Sequence, residues 1–393
     1  MKKFFIAAFA FAIMLSADVL ACTSAIITGK ATPDGRPLMW KHRDTGELNN
    51  KVKHYKGEKY SFYALINSPD AFKSEAWTGT NEVGFSIMNT ASYNLKNDDV
   101  PSSQMDKEGV VMYKALATCR TLKDFEKMLD KYARPMGVEA NFGVIDAEGG
   151  AAYYEVNNDS WTKIDVNDPK IAPQGYIVYT NHSNTGRLND GMGYVRYTTA
   201  DKIMKEQIGR NGDITAKWIM QTLSRTFYHS ILGIDLNKDK ELVAKCNGWF
   251  MDQDFIPRKS SSCSIVIEGV KKGENPANTI MWTILGYPPI GITVPLMVAN
   301  GTDIPAFMTA EGTGNAKMCD WVLENKKEIF PITRGNGNKY LNYNAIEKYM
   351  TPAVKVENGV FESSRPIIEK IREGKATAAD LKPVYDFIEK VVF

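Results

Sequence analysis

Short apolar runs broken by turn residues dominate the chain. The segment CTSAIITGKATPDGRPLMWKHRD, residues 22–44, reads as an apolar strand, a turn carried by Pro33, Asp34 and Gly35, and a second apolar strand. A chain reversing there pairs antiparallel and brings Lys41 to Asp44 back beside Cys22. Further strands are predicted over 60–66, 84–90, 141–156, 175–181 and 264–270, with Gly149 and Gly150 folding 141–156 into a hairpin. Apolar residues at helical spacing occupy 104–132, 199–208 and 214–223. From about 316 to 393 the chain reads as mostly helical and charged, with helices predicted at 317–328 and 378–391. Runs of strands interrupted by paired helices predict an α+β fold rather than an alternating parallel sheet. No repeat, low-complexity tract or long linker divides residues 22–393, which predicts one domain with a mainly helical C-terminal region.

The stretch from Thr279 to Asn300 has no charged residue and is long enough to suggest a membrane span. Pro288, Pro289 and Pro295 break it, so two buried strands joined by a proline turn are predicted instead. The first residues differ. Lys2 and Lys3 precede twelve apolar positions from Phe4 to Leu15, and Val19 and Ala21 satisfy the small-residue rule before Cys22. Residues 1–21 are therefore expected to be a signal peptide, and the mature chain an exported protein, periplasmic or extracellular, beginning at Cys22.

With 44% hydrophobic and 24% charged residues the composition is that of an ordinary globular protein. A formal charge of +2 offers no basic face for nucleic acid, and no such partner is expected. The five cysteines show no C-x-x-C spacing, and the four histidines no H-E-x-x-H, so neither metal nor cofactor is expected. Buried free thiols are the simplest reading of the cysteines other than Cys22. A homo-oligomer is compatible with the sequence.

Cys22 itself has two readings. The box VLAC also suits lipid attachment, but lipidated cysteines precede polar tethers, whereas here the apolar strand SAIIT begins at once. The other reading uses a freed N-terminus, whose α-amine, with a pKa of ~7.7–8.0, accepts a proton at neutral pH. Amine and thiol on one residue supply base and nucleophile without a histidine.

These residues resemble the start of the choloylglycine hydrolase and isopenicillin N acyltransferase-like families of N-terminal nucleophile (Ntn) hydrolases, including the acyl-CoA:6-aminopenicillanic acid acyltransferase-like branch and penicillin V acylase. Those families begin Cys-Thr, pass an Asp-Gly turn and carry G-[RQ]-N-x-D; Cys22, Thr23, Asp34, Gly35 and Asp44 match. Lys41 stands where Arg or Gln is usual and His42 where Asn is usual, while Arg43, one residue on in the strand, is expected to face the other way. TNEVGFSIMNT is similar to the family's N-E-x-G-[LF] segment and implies Asn89 near the site. YIVYTNHSN implies Asn181 as an oxyanion donor, and GYVRYTTADKI brings in Arg196. Resemblance runs from Cys22 to about Pro295, where SSCSIVIEGV and IMWTILGYPP are similar to the penicillin acyltransferase-like branch.

The resemblance implies a four-layer αββα sandwich of two stacked antiparallel sheets covered by helices. It also implies cleavage of a linear amide C–N bond in an N-acyl compound through a thioester on Cys22. Asp44 would orient the amine, Asn89 and Asn181 would bind the oxyanion, and Lys41 or Arg196 would steady the thiolate or a substrate anion. The substrate would be a small N-acyl amide: a penicillin-like side chain, an N-acyl amino acid, a conjugated bile acid or an acyl-homoserine lactone. Two rivals stay open, an acyltransferase to an amine acceptor and a lipid-anchored binding protein without catalysis. Taken singly, Asn89 and Asn181 suit turns after strands, Arg196 a structural ion pair, and His182 a satisfied loop position.

Overall fold

The structure, a computed structural model, describes residues 21–393, and all but the last residue of the expected signal peptide lie outside that range. Two antiparallel sheets form its centre. The first has six strands in the order Tyr176–Tyr179, Thr23–Ile27 (β1), Leu38–Asp44 (β2), Ser261–Glu268, Ile280–Leu285 and Val294–Leu296. The second is a seven-stranded meander in chain order, from Asn50–Lys56 to Trp161–Asp165.

The sheets stack face to face. Met39, Ile265 and Ile267 of the first share one core with Tyr63, Met88 and Tyr153 of the second, and Ser24 Oγ lies 3.0 Å from Tyr153 Oη across the gap. Helices Glu108–Thr118 (α1) and Leu122–Lys131 (α2) cover the outer face of the second sheet, burying Val111, Met112, Leu116, Phe125 and Leu129 against Phe62, Ile87 and Phe142. Against the first sheet pack Tyr194–Asn211 (α3), Ala216–Gln221, Lys317–Ile329 and the C-terminal helices. The chain is thus an α+β protein with the expected αββα layering.

Burial on both faces explains the strand composition. All seven residues of β2 are buried, including Lys41, His42, Arg43 and Asp44, so their polar groups must find partners inside the protein. The predicted hairpin forms, with Ser24 opposite Lys41 and Thr23 opposite His42. Residues 141–156 form the expected hairpin as Ala140–Ile145 and Ala151–Val156. The stretch 279–300 supplies Ile280–Leu285 and Val294–Leu296, and Pro295 is tolerated because its strand is the edge of the sheet. Among the described residues no helix is long and apolar enough to cross a membrane, and all five cysteines are free.

Three differences from the sequence reading have identifiable physical causes. The helical run 104–132 splits where Thr121 starts a second helix with a capping box to Asp124. Strand Asn50–Lys56 is polar in sequence because Lys51, although buried, satisfies its ammonium on the carbonyls of Ala310, Gly312 and Gly314. Helix Tyr343–Arg372 runs through Pro352 and Pro366, two residues that ordinarily end a helix. It is held by burial of Val360, Phe361 and Ile368 in the sheet core and by ion pairs from Arg365 and Arg372 to Glu268.

Candidate active site

Extending the β1–β2 register by one residue sets Cys22 opposite Arg43. Side chains alternate along β2, so Lys41 and Arg43 share the face toward the second sheet, and His42 and Asp44 turn to the other side. The expectation that Arg43 points away from the site is therefore overturned: it lies two residues from Lys41, and both line a cavity of about 30 Å³ with Cys22, Asp44 and Asn89. Trp77, Ala91, Asp106 and Glu108 complete the wall. Cys22 is 6% exposed, so it lies inside the protein rather than at its surface.

Lys41 crosses from one sheet to the other. Its Nζ donates to Trp77 O at 2.5 Å and to Asn89 Oδ1 at 2.6 Å. Burial pulls the ammonium down to about 8, an effect that the nearby Cys22 partly opposes. Because the Asn89 oxygen is taken by Lys41, the N–H groups of that amide are the part it offers to other acceptors. The cation thus fixes which end of Asn89 is used.

Asp44 is held from the opposite face. Its Oδ1 accepts from Ser261 Oγ at 2.5 Å, and its other oxygen pairs with Arg258. Arg258 also donates to the carbonyl of Ala21 at 3.1 Å, which ties Asp44 to the bond preceding Cys22. His42 lies 2.9 Å from the same Ser261 hydroxyl. Burial drives the His42 imidazole down to about 4 against the pull of Asp44, so it is neutral near pH 7 and props Ser261 rather than carrying charge.

Asn181 and Arg196 form a second group behind the cavity wall. Arg196 donates to the backbone carbonyl of Cys22, to Thr23 Oγ1 at 2.9 Å and to Asn181 Oδ1 at 2.7 Å. Asn181 Nδ2 donates to Ala91 O at 2.8 Å. Neither residue lines the cavity itself; they fix Cys22 and Ala91, which do. His182, stacked 4.0 Å from the Tyr194 ring and within 3.2 Å of Thr180 Oγ1, is a satisfied loop histidine.

Six wall or support residues went unread in the sequence: Trp77, Ala91, Asp106, Glu108, Arg258 and Ser261. Glu108, at the start of α1, is pushed up to about 7 by burial while its Oε1 accepts from the Glu139 amide at 3.0 Å. Arg258 and Ser261 lie more than two hundred residues from Cys22, and no local spacing marks them.

No protein-family model matches the chain, and no curated protein matches it. Among solved structures it is similar to an N-acylethanolamine-hydrolyzing acid amidase ortholog from Caenorhabditis elegans, at 17% identity, 63% of this chain, 92% of that one and a TM-score of 0.41. It is also similar to a variant of conjugated bile acid hydrolase from Clostridium perfringens, at 11% identity over 75% of this chain and 95% of that one, TM-score 0.40. Penicillin V acylase from Agrobacterium tumefaciens follows at 10% identity, 70% and 86% coverage and a TM-score of 0.37.

Proposed function

We propose that this chain, exported and trimmed before Cys22, is an Ntn-type cysteine hydrolase of linear amide bonds in N-acyl compounds. The observation that carries this reading is the cavity in which Cys22 meets Lys41, Asn89 and Asp44.

Trimming would free the Cys22 α-amine close to Asp44, because Arg258 now bonds both that carboxylate and the carbonyl of residue 21. Arg196 would keep Cys22 in place through its carbonyl. The amine takes the thiol proton and the thiolate adds to the amide carbonyl. Asn89, with its oxygen fixed by Lys41, donates to the oxyanion; losing one such donor typically costs ~2.7–4 kcal/mol of transition-state stabilisation. The α-ammonium then protonates the departing nitrogen as the C–N bond breaks, leaving a thioester. Water, deprotonated by the same amine, hydrolyses that thioester and restores the thiol.

Amine release from short N-acyl amides, penicillin V and glycocholate tests the reading. Turnover by protein beginning at Cys22 is expected, with none from Cys22→Ser and none from protein carrying one extra residue before Cys22. Equal turnover by the Cys22→Ser protein would refute the assignment.

A further inference from the structure

The mechanism above leaves one cation of the cavity wall, Arg43, unused. Arg43 is 3% exposed, and its Nη2 donates to the neutral Asn67 Oδ1 at 2.9 Å. Its guanidinium carbon lies 4.8 Å over the ring of Trp77. Among the described residues, Arg43 Nη1 and Trp77 Nε1 are both buried donors without a hydrogen-bond partner, and both residues line the Cys22 cavity.

Such an arrangement is costly unless something fills it. A guanidinium keeps its charge in proteins, and a buried donor left unpaired costs roughly 1–3 kcal/mol. Within the site Asp44 is committed to Arg258 and Ser261, while Glu108 is pushed up to about 7 by burial. Cys22, Glu47 and Asp70 are the ionisable acids that act on Arg43 beside a Cys263 thiol pushed up by burial, yet none of them accepts from its Nη1. Two buried donors in one cavity wall, both without an acceptor, suit the two oxygens of a carboxylate.

Resting on the hydrolase reading, we propose that Arg43 Nη1 and Trp77 Nε1 form a carboxylate subsite, so that the substrate class is N-acyl α-amino acids rather than neutral N-acyl amines. Arg43 opposes Cys22 across one strand pair, where side chains stand about 5 Å apart. A carboxylate bound there lies within a few bonds of the attacked carbonyl, as it does when it sits on the carbon bearing the amide nitrogen.

The test compares N-phenylacetylglycine with its neutral counterpart N-phenylacetylglycinamide, using protein that begins at Cys22. The expected kcat/KM ratio favours the acid by about tenfold or more. That ratio should fall about tenfold in Arg43→Gln and several-fold in Trp77→Phe, which keeps a ring beneath the guanidinium and guards against a folding defect in the first variant. A wild-type ratio near one, or equal losses on both substrates, would overturn the subsite and leave Arg43 as a thiolate partner only. If wild type cleaves neither compound, the hydrolase reading fails for this pair. Calorimetric titration of both into trimmed Cys22→Ala protein then decides the subsite: preferential binding of the acid sustains it, and equal or absent binding overturns it.

Discussion

Lys41 and Asn89 meet across the two sheets, ammonium nitrogen to carboxamide oxygen at 2.6 Å. The contact makes the orientation of Asn89 depend on the charge of Lys41. With that ammonium at about 8, raising the pH removes the proton and loosens the amide. Activity of the trimmed protein should fall on an alkaline limb near pH 8. Lys41→Arg should extend the plateau upward, since a guanidinium does not titrate in this range, whereas Lys41→Met should lower kcat by ~10²-fold. A pH–rate profile of the three proteins reads both effects.

Arg196 is buried and joins two parts of the chain that sequence holds far apart, through Cys22 O and Thr23 Oγ1 on one side and Asn181 Oδ1 on the other. Arg196→Met leaves all three without this donor. The expected loss is ~3 kcal/mol or more of stability, read by urea unfolding, together with a fall in kcat as Cys22 loses its anchor. Arg196→Lys, which reaches fewer acceptors, should lie between the two.

Glu268 is held down to about 2: burial alone would raise it, but Arg365 and Arg372 overcome that penalty. Because the folded value lies below the unfolded one, the stabilisation is complete above about pH 4.5 and is lost as pH falls toward 2. Its size is on the order of 3 kcal/mol. The stability gap between wild type and Glu268→Gln, measured by denaturant titration, should be flat above pH 5 and close progressively below it.

Glu357, inside the long helix Tyr343–Arg372, pairs with Arg225 at 2.8 Å, with both side chains buried. The same carboxylate accepts from the Thr293 backbone at 3.0 Å. Glu357→Gln leaves a buried guanidinium uncompensated and should cost ~3–5 kcal/mol. Deleting residues 343–393 removes Val360, Phe361, Ile368, Val384 and Ile388 from the core that backs the first sheet, so the truncated chain should not unfold cooperatively in a calorimetric scan.

The parts legible in the sequence were those with a short-range signature. Pro33, Asp34 and Gly35 marked the hairpin, and the β1–β2 register followed from it. Short apolar runs gave the central strands and placed the segments bearing Asn89 and Asn181, although Asn89 lies within strand Ser86–Ala91 rather than in a turn after it. Strand Asn50–Lys56 and helix Tyr343–Arg372 escaped because a buried lysine and two prolines contradict local preference, and only distant carbonyls, apolar contacts and ion pairs offset that cost. Arg43 was misjudged by counting from the wrong neighbour; parity with Lys41 settles its face.

By itself the sequence determined the hairpin that returns charge to Cys22 and the α+β class, since turn chemistry and side-chain alternation act over a few residues. Tertiary structure decided which groups complete the site. Arg258 and Ser261 reach Asp44 from a strand and loop more than two hundred residues away, and Trp77 meets Arg43 from the opposing sheet. Those contacts arise from how two sheets stack, a consequence of burying both faces at once that no local pattern encodes.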